Sequence, residues 1–162
     1  MKVNHELKPV FDKNSQILIL GSIPSVKSRE LGFYYGHPRN RFWSVLAEVF
    51  QEELPLTVNA KKNFLKKHTI ALWDVLASCD INGSSDSSIR NPVPNNINYL
   101  LKQTKIKTIF VTGKTALKLY NKLCYKSTKI PCIYLPSTSP ANAGIKYDEL
   151  LNHYKVILNY LK

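Results

Sequence analysis

Two polar blocks in this 162-residue chain carry side chains suited to chemistry. The first joins Gly21-Ser22-Ile23-Pro24-Ser25 to Tyr34-Tyr35-Gly36-His37-Pro38-Arg39-Asn40-Arg41-Phe42-Trp43, with Asn40 fifteen residues after Ser25. It follows an apolar run and opens a helix, the place where an α/β protein usually keeps its reactive groups. The second block, Leu135-Pro136-Ser137-Thr138-Ser139-Pro140-Ala141-Asn142, follows another apolar run far along the chain. Two such blocks suggest two walls of one site.

Several chemistries are excluded by spacing. Thr112-Gly113-Lys114-Thr115 invites a nucleotide-binding reading, but a P-loop needs a second glycine where Thr108 stands. What survives is a helix N-terminus with free N–H groups and a lysine, suited either to one phosphate of a larger ligand or to plain helix capping. The opening block lacks G-x-G-x-x-G, and His37 has no serine or cysteine partner in a nucleophile elbow. Cys79, Cys124 and Cys132 form no C-x-x-C pair, and His5, His37, His68 and His153 are scattered, so no metal site and no cofactor are expected. Phe33-Tyr34-Tyr35 reads either as core or as a source of one ring that stacks on a planar ligand.

The elements that must position these groups are legible as periodicity. Gln16 to Leu20, Thr69 to Trp73, Thr108 to Thr112 and Cys132 to Leu135 are short apolar runs of the kind buried on both faces of a sheet. Helical stripes lie between them. Phe42, Val45, Leu46, Val49 and Phe50 form one, with Pro38 in its first turn and Arg39 and Arg41 near its start. Ala116, Leu117, Tyr120, Leu123 and Cys124 form a second, and Tyr147 through Leu161 a long C-terminal one. Weaker helices are expected over Val58 to Lys67 and from an Asn95 cap through Lys102, and Asp80 to Asn95 as an ordered loop or lid. Alternation of strand and helix implies parallel crossovers, hence a three-layer α/β/α sandwich around a mainly parallel four-stranded sheet, with its site at the carboxyl ends of the strands.

Length and a hydrophobic content of 44% suit a single domain over residues 1–162. The balance of 23 Lys and Arg against 11 Asp and Glu, a formal charge of +12, suits a polyanionic partner or simply well-solvated faces. Met1 to Lys13 has no apolar signal core, and no run approaches the roughly 18 apolar residues of a membrane span. A soluble monomer of a reducing compartment, cytoplasmic in a prokaryote, is expected.

Gly21-Ser-Ile-Pro-Ser25 with Tyr34-Tyr-Gly-His-Pro-Arg-Asn-Arg-Phe-Trp43, then Leu72-Trp-Asp-Val-Leu76 with Ser78-Cys79, then Leu135-Pro-Ser-Thr-Ser-Pro-Ala141, resembles the uracil-DNA glycosylase superfamily, and within it the hypoxanthine-DNA glycosylase branch. The resemblance spans residues 16 to 160. It implies hydrolysis of the N-glycosidic bond of a deaminated base flipped out of single- or double-stranded DNA. In the hypoxanthine branch the amide of His-Pro-x-Asn is catalytic, which points to Asn40; mismatch-specific relatives place theirs at the position of Ser22. An amide can orient water and steady a cationic sugar through its carbonyl but is a poor base, so dissociative chemistry with positioning is expected.

Further roles follow from the same resemblance. Tyr35 matches an aromatic that stacks on the flipped base, and Gly21, Ser22 and Pro24 border the pocket. Asp74 matches a base-reading amide, as an acceptor for a ring N–H or as a structural hydrogen bonder. Gly113 and Lys114 match a backbone-clamping loop and Ser137 a phosphate-gripping serine, and Ser25, His37, Arg39, Arg41, Thr138 and Ser139 complete the expected DNA contacts. Leu135 replaces the histidine of uracil-specific relatives, which argues against strong uracil excision, and Thr138-Ser139-Pro140 replaces an inserted leucine, so that flipping is expected to depend more on a weak or mismatched pair than on a wedge. The alternatives are a mismatch-type uracil or thymine glycosylase and a DNA-binding member of the fold without turnover.

Overall fold

The computed structural model describes residues 1–162. In chain order the strands are β1 (Lys2–Asn4), β2 (Ile17–Gly21), β3 (Ile70–Asp74), β4 (Leu76–Asp80), β5 (Arg90–Pro94), β6 (Thr108–Thr112) and β7 (Cys132–Leu135). The α-helices are α1 (Val26–Leu31), α2 (Phe42–Val49), α3 (Val58–Lys67), α4 (Ile97–Leu101), α5 (Lys114–Leu123), α6 (Tyr125–Thr128) and α7 (Tyr147–Tyr154).

The four apolar runs become the parallel sheet β3-β2-β6-β7. Every residue of β2 and β3 is buried, as expected for strands covered on both faces. Helices flank the sheet, α3 against β3 and α5 against β6 and β7, while α2 packs on α7. Because all four strands run the same way, Gly21, Asp74, Thr112 and Leu135 end on one edge. β2 is followed by β3 on one side and β6 on the other, so a topological switch point lies between β2 and β6 at that edge.

A second sheet, β1-β4-β5, is antiparallel and corrects the reading of Asp80 to Asn95 as a loop. Arg90–Pro94 contains two prolines and mostly exposed residues. It pairs as an edge strand, where a missing N–H costs no ladder bond, so periodicity could not mark it. What remains of the expected loop is Ile81 to Ile89, with one turn of 3₁₀ helix at Asp86–Ser88. Between β3 and β4 the chain stays beside β2: Val75 N–H donates to Gly21 O at 2.8 Å and Leu76 N–H to Ser22 O at 3.1 Å. Val3, Cys79 and Ile81 of the small sheet and its margin join the same hydrophobic cluster as β2 and β3.

Three helical boundaries also differ from expectation. α2 begins at Phe42, so Pro38 lies in the preceding turn. α4 begins at Ile97 and Asn95 does not cap it; the Asn95 amide donates to Asp74 O at 2.9 Å and Leu76 O at 3.1 Å, tying β3 to β4. The C-terminal stripe is α-helical only to Tyr154 and continues as 3₁₀ helix over Lys155–Tyr160.

Candidate active site

At the carboxyl edge of the parallel sheet, Gly21 stands opposite Asp74 in register. A Cβ built on Gly21 would lie 2.5 Å from Asp74 Oδ1 and 3.4 Å from Tyr35 Oη, so glycine is required here for close approach. Tyr35 reaches the edge from a strained backbone, with φ of 54° in the left-handed region that aromatic residues rarely adopt. One face of its ring stacks on Phe42, with centroids 3.8 Å apart, leaving at most one face for any ligand. Its hydroxyl lies 3.4 Å from Thr112 Oγ1, and burial with the nearby Asp74 charge holds its pKa well above the usual tyrosine value. Tyr35 is therefore a neutral phenol.

Asp74 is 4% exposed and paired with a residue that carried no marker in the sequence: His5 Nε2 lies 2.7 Å from Asp74 Oδ2. His5 follows β1 and is held by its N–H to Ala77 O at 2.6 Å, so the antiparallel sheet delivers it. Asp74 Oδ1 accepts no hydrogen bond from the protein. No fully enclosed side-chain nitrogen or oxygen lacks a partner, so this oxygen keeps some accessible area although the side chain is only 5% exposed.

Asn40 is pinned in the complementary way. Its Oδ1 accepts from Phe42 N–H at 2.9 Å, capping the start of α2, and from Thr138 Oγ1–H at 2.7 Å across the two polar blocks. Both lone pairs of the carbonyl are thus engaged. The expectation that this carbonyl faces water or a cationic sugar is corrected: the free group is Nδ2, a donor, and it keeps accessible area by the same reasoning as Asp74 Oδ1. Phe42 links Asn40 to Tyr35, and Tyr35 Oη and Asp74 Oδ1 both approach the position where a Gly21 side chain would begin.

Two expected DNA contacts have other work. Thr138 is 1% exposed and its hydroxyl serves Asn40, so it is part of the site's interior. The Arg41 guanidinium donates to Ile145 O at 2.7 Å and Asn142 O at 3.1 Å, and Arg41 N–H to Thr138 O at 3.1 Å. It clamps the second block to the first. Leu135 is 1% exposed and belongs to the core.

The remaining candidates surround this edge. Gly113, with φ of 90°, packs so closely that an added Cβ would lie 3.3 Å from Ser137 Cβ, bringing the start of α5 against the second polar block. Ser137 and Ser139 hydroxyls accept from Ser139 and Ala141 N–H groups, and Ser25 Oγ caps α1 by accepting from Ser28 N–H at 3.1 Å. Pro24 is buried, His37 accepts through Nδ1 from Arg39 N–H, and Arg39 and Lys114 are exposed. Ser22 Oγ–H donates to Asp86 Oδ1 at 3.4 Å, while Ser84 Oγ and Gly83 O hold Val26 N–H and the Arg29 guanidinium. The Ile81 to Ile89 loop is therefore tethered to the first block. Desolvation against that block pushes the Asp86 carboxyl up, although much of the residue is exposed. Two surface concavities, one on α7 around Lys146 and His153 and one between α4 and α6, lie apart from these residues.

Residues 8–162 match the uracil DNA glycosylase superfamily. The chain belongs to that superfamily and is a DNA glycosylase. It is similar to the hypoxanthine DNA glycosylase of Methanosarcina acetivorans, 36% identical over 138 residues that cover 82% of this chain and 84% of that protein. It is similar also to that of Methanosarcina barkeri, 35% identical over 108 residues covering 65% and 68%. A solution NMR structure of a candidate uracil DNA glycosylase from Methanosarcina acetivorans superposes with a TM-score of 0.82 at 30% identity, covering 97% of this chain and 96% of that one. No helix of this protein is long and apolar enough to cross a membrane.

Proposed function

We propose that the protein is a monofunctional, single-domain monomeric glycosylase that removes hypoxanthine from DNA, leaving an abasic site. The observation that carries this reading is Asn40, an amide pinned through its oxygen and open through its nitrogen, beside a first motif that offers Ser22 rather than an amide. The names of the similar Methanosarcina proteins support the same substrate.

The chemistry follows from the groups available. Deoxyinosine must leave the stack before its C1′–N9 bond is accessible, and the formal charge of +12 favours the polyanionic backbone that has to be held meanwhile. We assign that holding to the exposed Arg39 and Lys114 together with His37, Ser25, Gly113, Ser137 and Ser139. As the bond breaks, its electron pair leaves with N9 and the sugar becomes cationic. Water then adds its oxygen to C1′ and loses a proton to solvent, while the departing base gains one.

Asn40 Nδ2 donates to the oxygen of that water, fixing it in line while a second lone pair stays free to attack. A donor cannot act as a base, which is tolerable because water is captured by a sugar that is already cationic. The contribution is positioning. Tyr35 offers one aromatic face to the base, and Asp74 with Gly21 borders it.

Single-turnover incubation with labelled oligonucleotides, each carrying one hypoxanthine, uracil or adenine, followed by alkali, tests the proposal. Strand breaks at hypoxanthine ahead of uracil, and none at adenine, are expected. Uracil ahead of hypoxanthine, or no break at any damaged base, overturns the substrate.

A further inference from the structure

We propose that His5 is the positioning residue that makes Asp74 an acceptor-only reader of the ring N–H created by deamination. This rests on the glycosylase reading above and deepens it.

The chemical difference to be read is small. In adenine N1 is a lone-pair acceptor beside an amino group; in hypoxanthine N1 carries a hydrogen beside a carbonyl. Cytosine and uracil differ in the same way at N3. A group that only accepts hydrogen bonds therefore separates each deaminated base from its amino parent, hypoxanthine from adenine and uracil from cytosine. A carboxylate is such a group, whereas a side-chain amide can turn over and present either polarity.

Asp74 has the required asymmetry. Oδ2 is held by His5 Nε2 at 2.7 Å, with the two side chains 1% and 5% exposed, and Oδ1 is left without a protein partner at the strand edge. Gly21 makes room for Oδ1, since an added Cβ would lie 2.5 Å from it, and Tyr35 Oη borders the same spot. The backbone of His5 is tied to Ala77 O through its main-chain N–H, and its imidazole is enclosed, 1% exposed and 6.0 Å from the ring of Tyr34. The pair thus fixes which oxygen is left unpartnered and how it is oriented. Without His5 both oxygens would need partners, and the carboxylate would turn to find them at the cost of that orientation.

The test compares excision of hypoxanthine with that of 1-methylhypoxanthine, which keeps the carbonyl but has no N1–H, in otherwise identical duplexes. Wild-type protein should favour hypoxanthine by about 100-fold, the range of a hydrogen bond to a charged acceptor. Asp74→Ala, which removes the acceptor and opens space for the methyl group, and His5→Phe, which keeps the ring but removes the donor, should each shrink this preference by about 10-fold or more. His5→Gln, which restores an N–H donor, should recover it, a result that a merely structural histidine would not produce. A preference unchanged in folded His5→Phe and Asp74→Ala proteins overturns the proposal. So does a wild-type protein that releases both bases equally, whatever the variants do. No release of hypoxanthine at all overturns the substrate reading itself, and is thereby distinguishable from failure of the His5 assignment alone.

Discussion

Asn40 and Asp74 are built by opposite means to similar ends. Asn40 sits on a loop, is held through its oxygen by Phe42 N–H and Thr138, and exposes a donor. Asp74 ends a buried strand, is held through one oxygen by His5, and exposes an acceptor. In each case one half of a polar side chain is spent on orientation so that the other half is aimed. The loop residue takes its anchors from the two polar blocks, which face each other across the sheet edge. The strand residue takes its anchor from a separate antiparallel sheet. A site anchored from two different elements can lose one anchor and keep the other, and that makes the two halves separable by mutation.

The sharpest way to break the comparison is at the exposed donor. Asn40→Asp keeps an oxygen able to accept from Phe42 and Thr138 but replaces Nδ2 with a second acceptor. Single-turnover release of hypoxanthine should fall about 1000-fold, close to the loss in Asn40→Ala, since the donor and not the carbonyl does the positioning. Full activity in Asn40→Asp would return the role to the carbonyl.

A smaller effect should come from the anchor. Thr138→Val removes the hydroxyl at constant shape and should slow release about 10-fold, with Thr138→Ser restoring it. In an Asn40→Ala background the same change should cost nothing further, because two residues acting through one amide are not additive. An additive loss would separate Thr138 from Asn40.

The mildest pair concerns the basic residues, where burial divides the expectation. Arg41→Ala removes two hydrogen bonds to backbone carbonyls and should lower unfolding stability by about 1–2 kcal/mol in denaturant titration. Lys114→Ala should leave stability unchanged, weaken DNA binding alike for damaged and undamaged oligonucleotides, and reduce the magnitude of the salt slope by about 1. The reverse pattern would make Arg41 a DNA contact and Lys114 a structural one.

Much of the parallel half was legible from the chain alone, because burial on both faces forces continuous apolar runs such as Ile17 to Leu20, and each run ends in small or polar residues. The small sheet was not. β1 has three residues and only Val3 is buried, and β5 carries prolines, so neither leaves a periodic trace. That blindness extended to the site. His5 lies 69 positions from its partner Asp74, and nothing in its neighbourhood marks it. Thr138 and Arg41 read as surface contacts in the sequence because residue type signals polarity but not which way a side chain turns.

The residues of this protein therefore determined, by themselves, the parallel sheet, the edge at which it must act, and the short motifs that carry amide, carboxylate and hydroxyl groups to that edge. Periodicity and spacing are local properties, and they survive in a string of letters. Tertiary structure decided which half of each polar group is free. Asn40 offers its nitrogen because Phe42 and Thr138 take its oxygen, and Asp74 offers Oδ1 because His5 takes Oδ2. Hydrogen-bonding capacity is finite, and only the folded chain settles how it is shared.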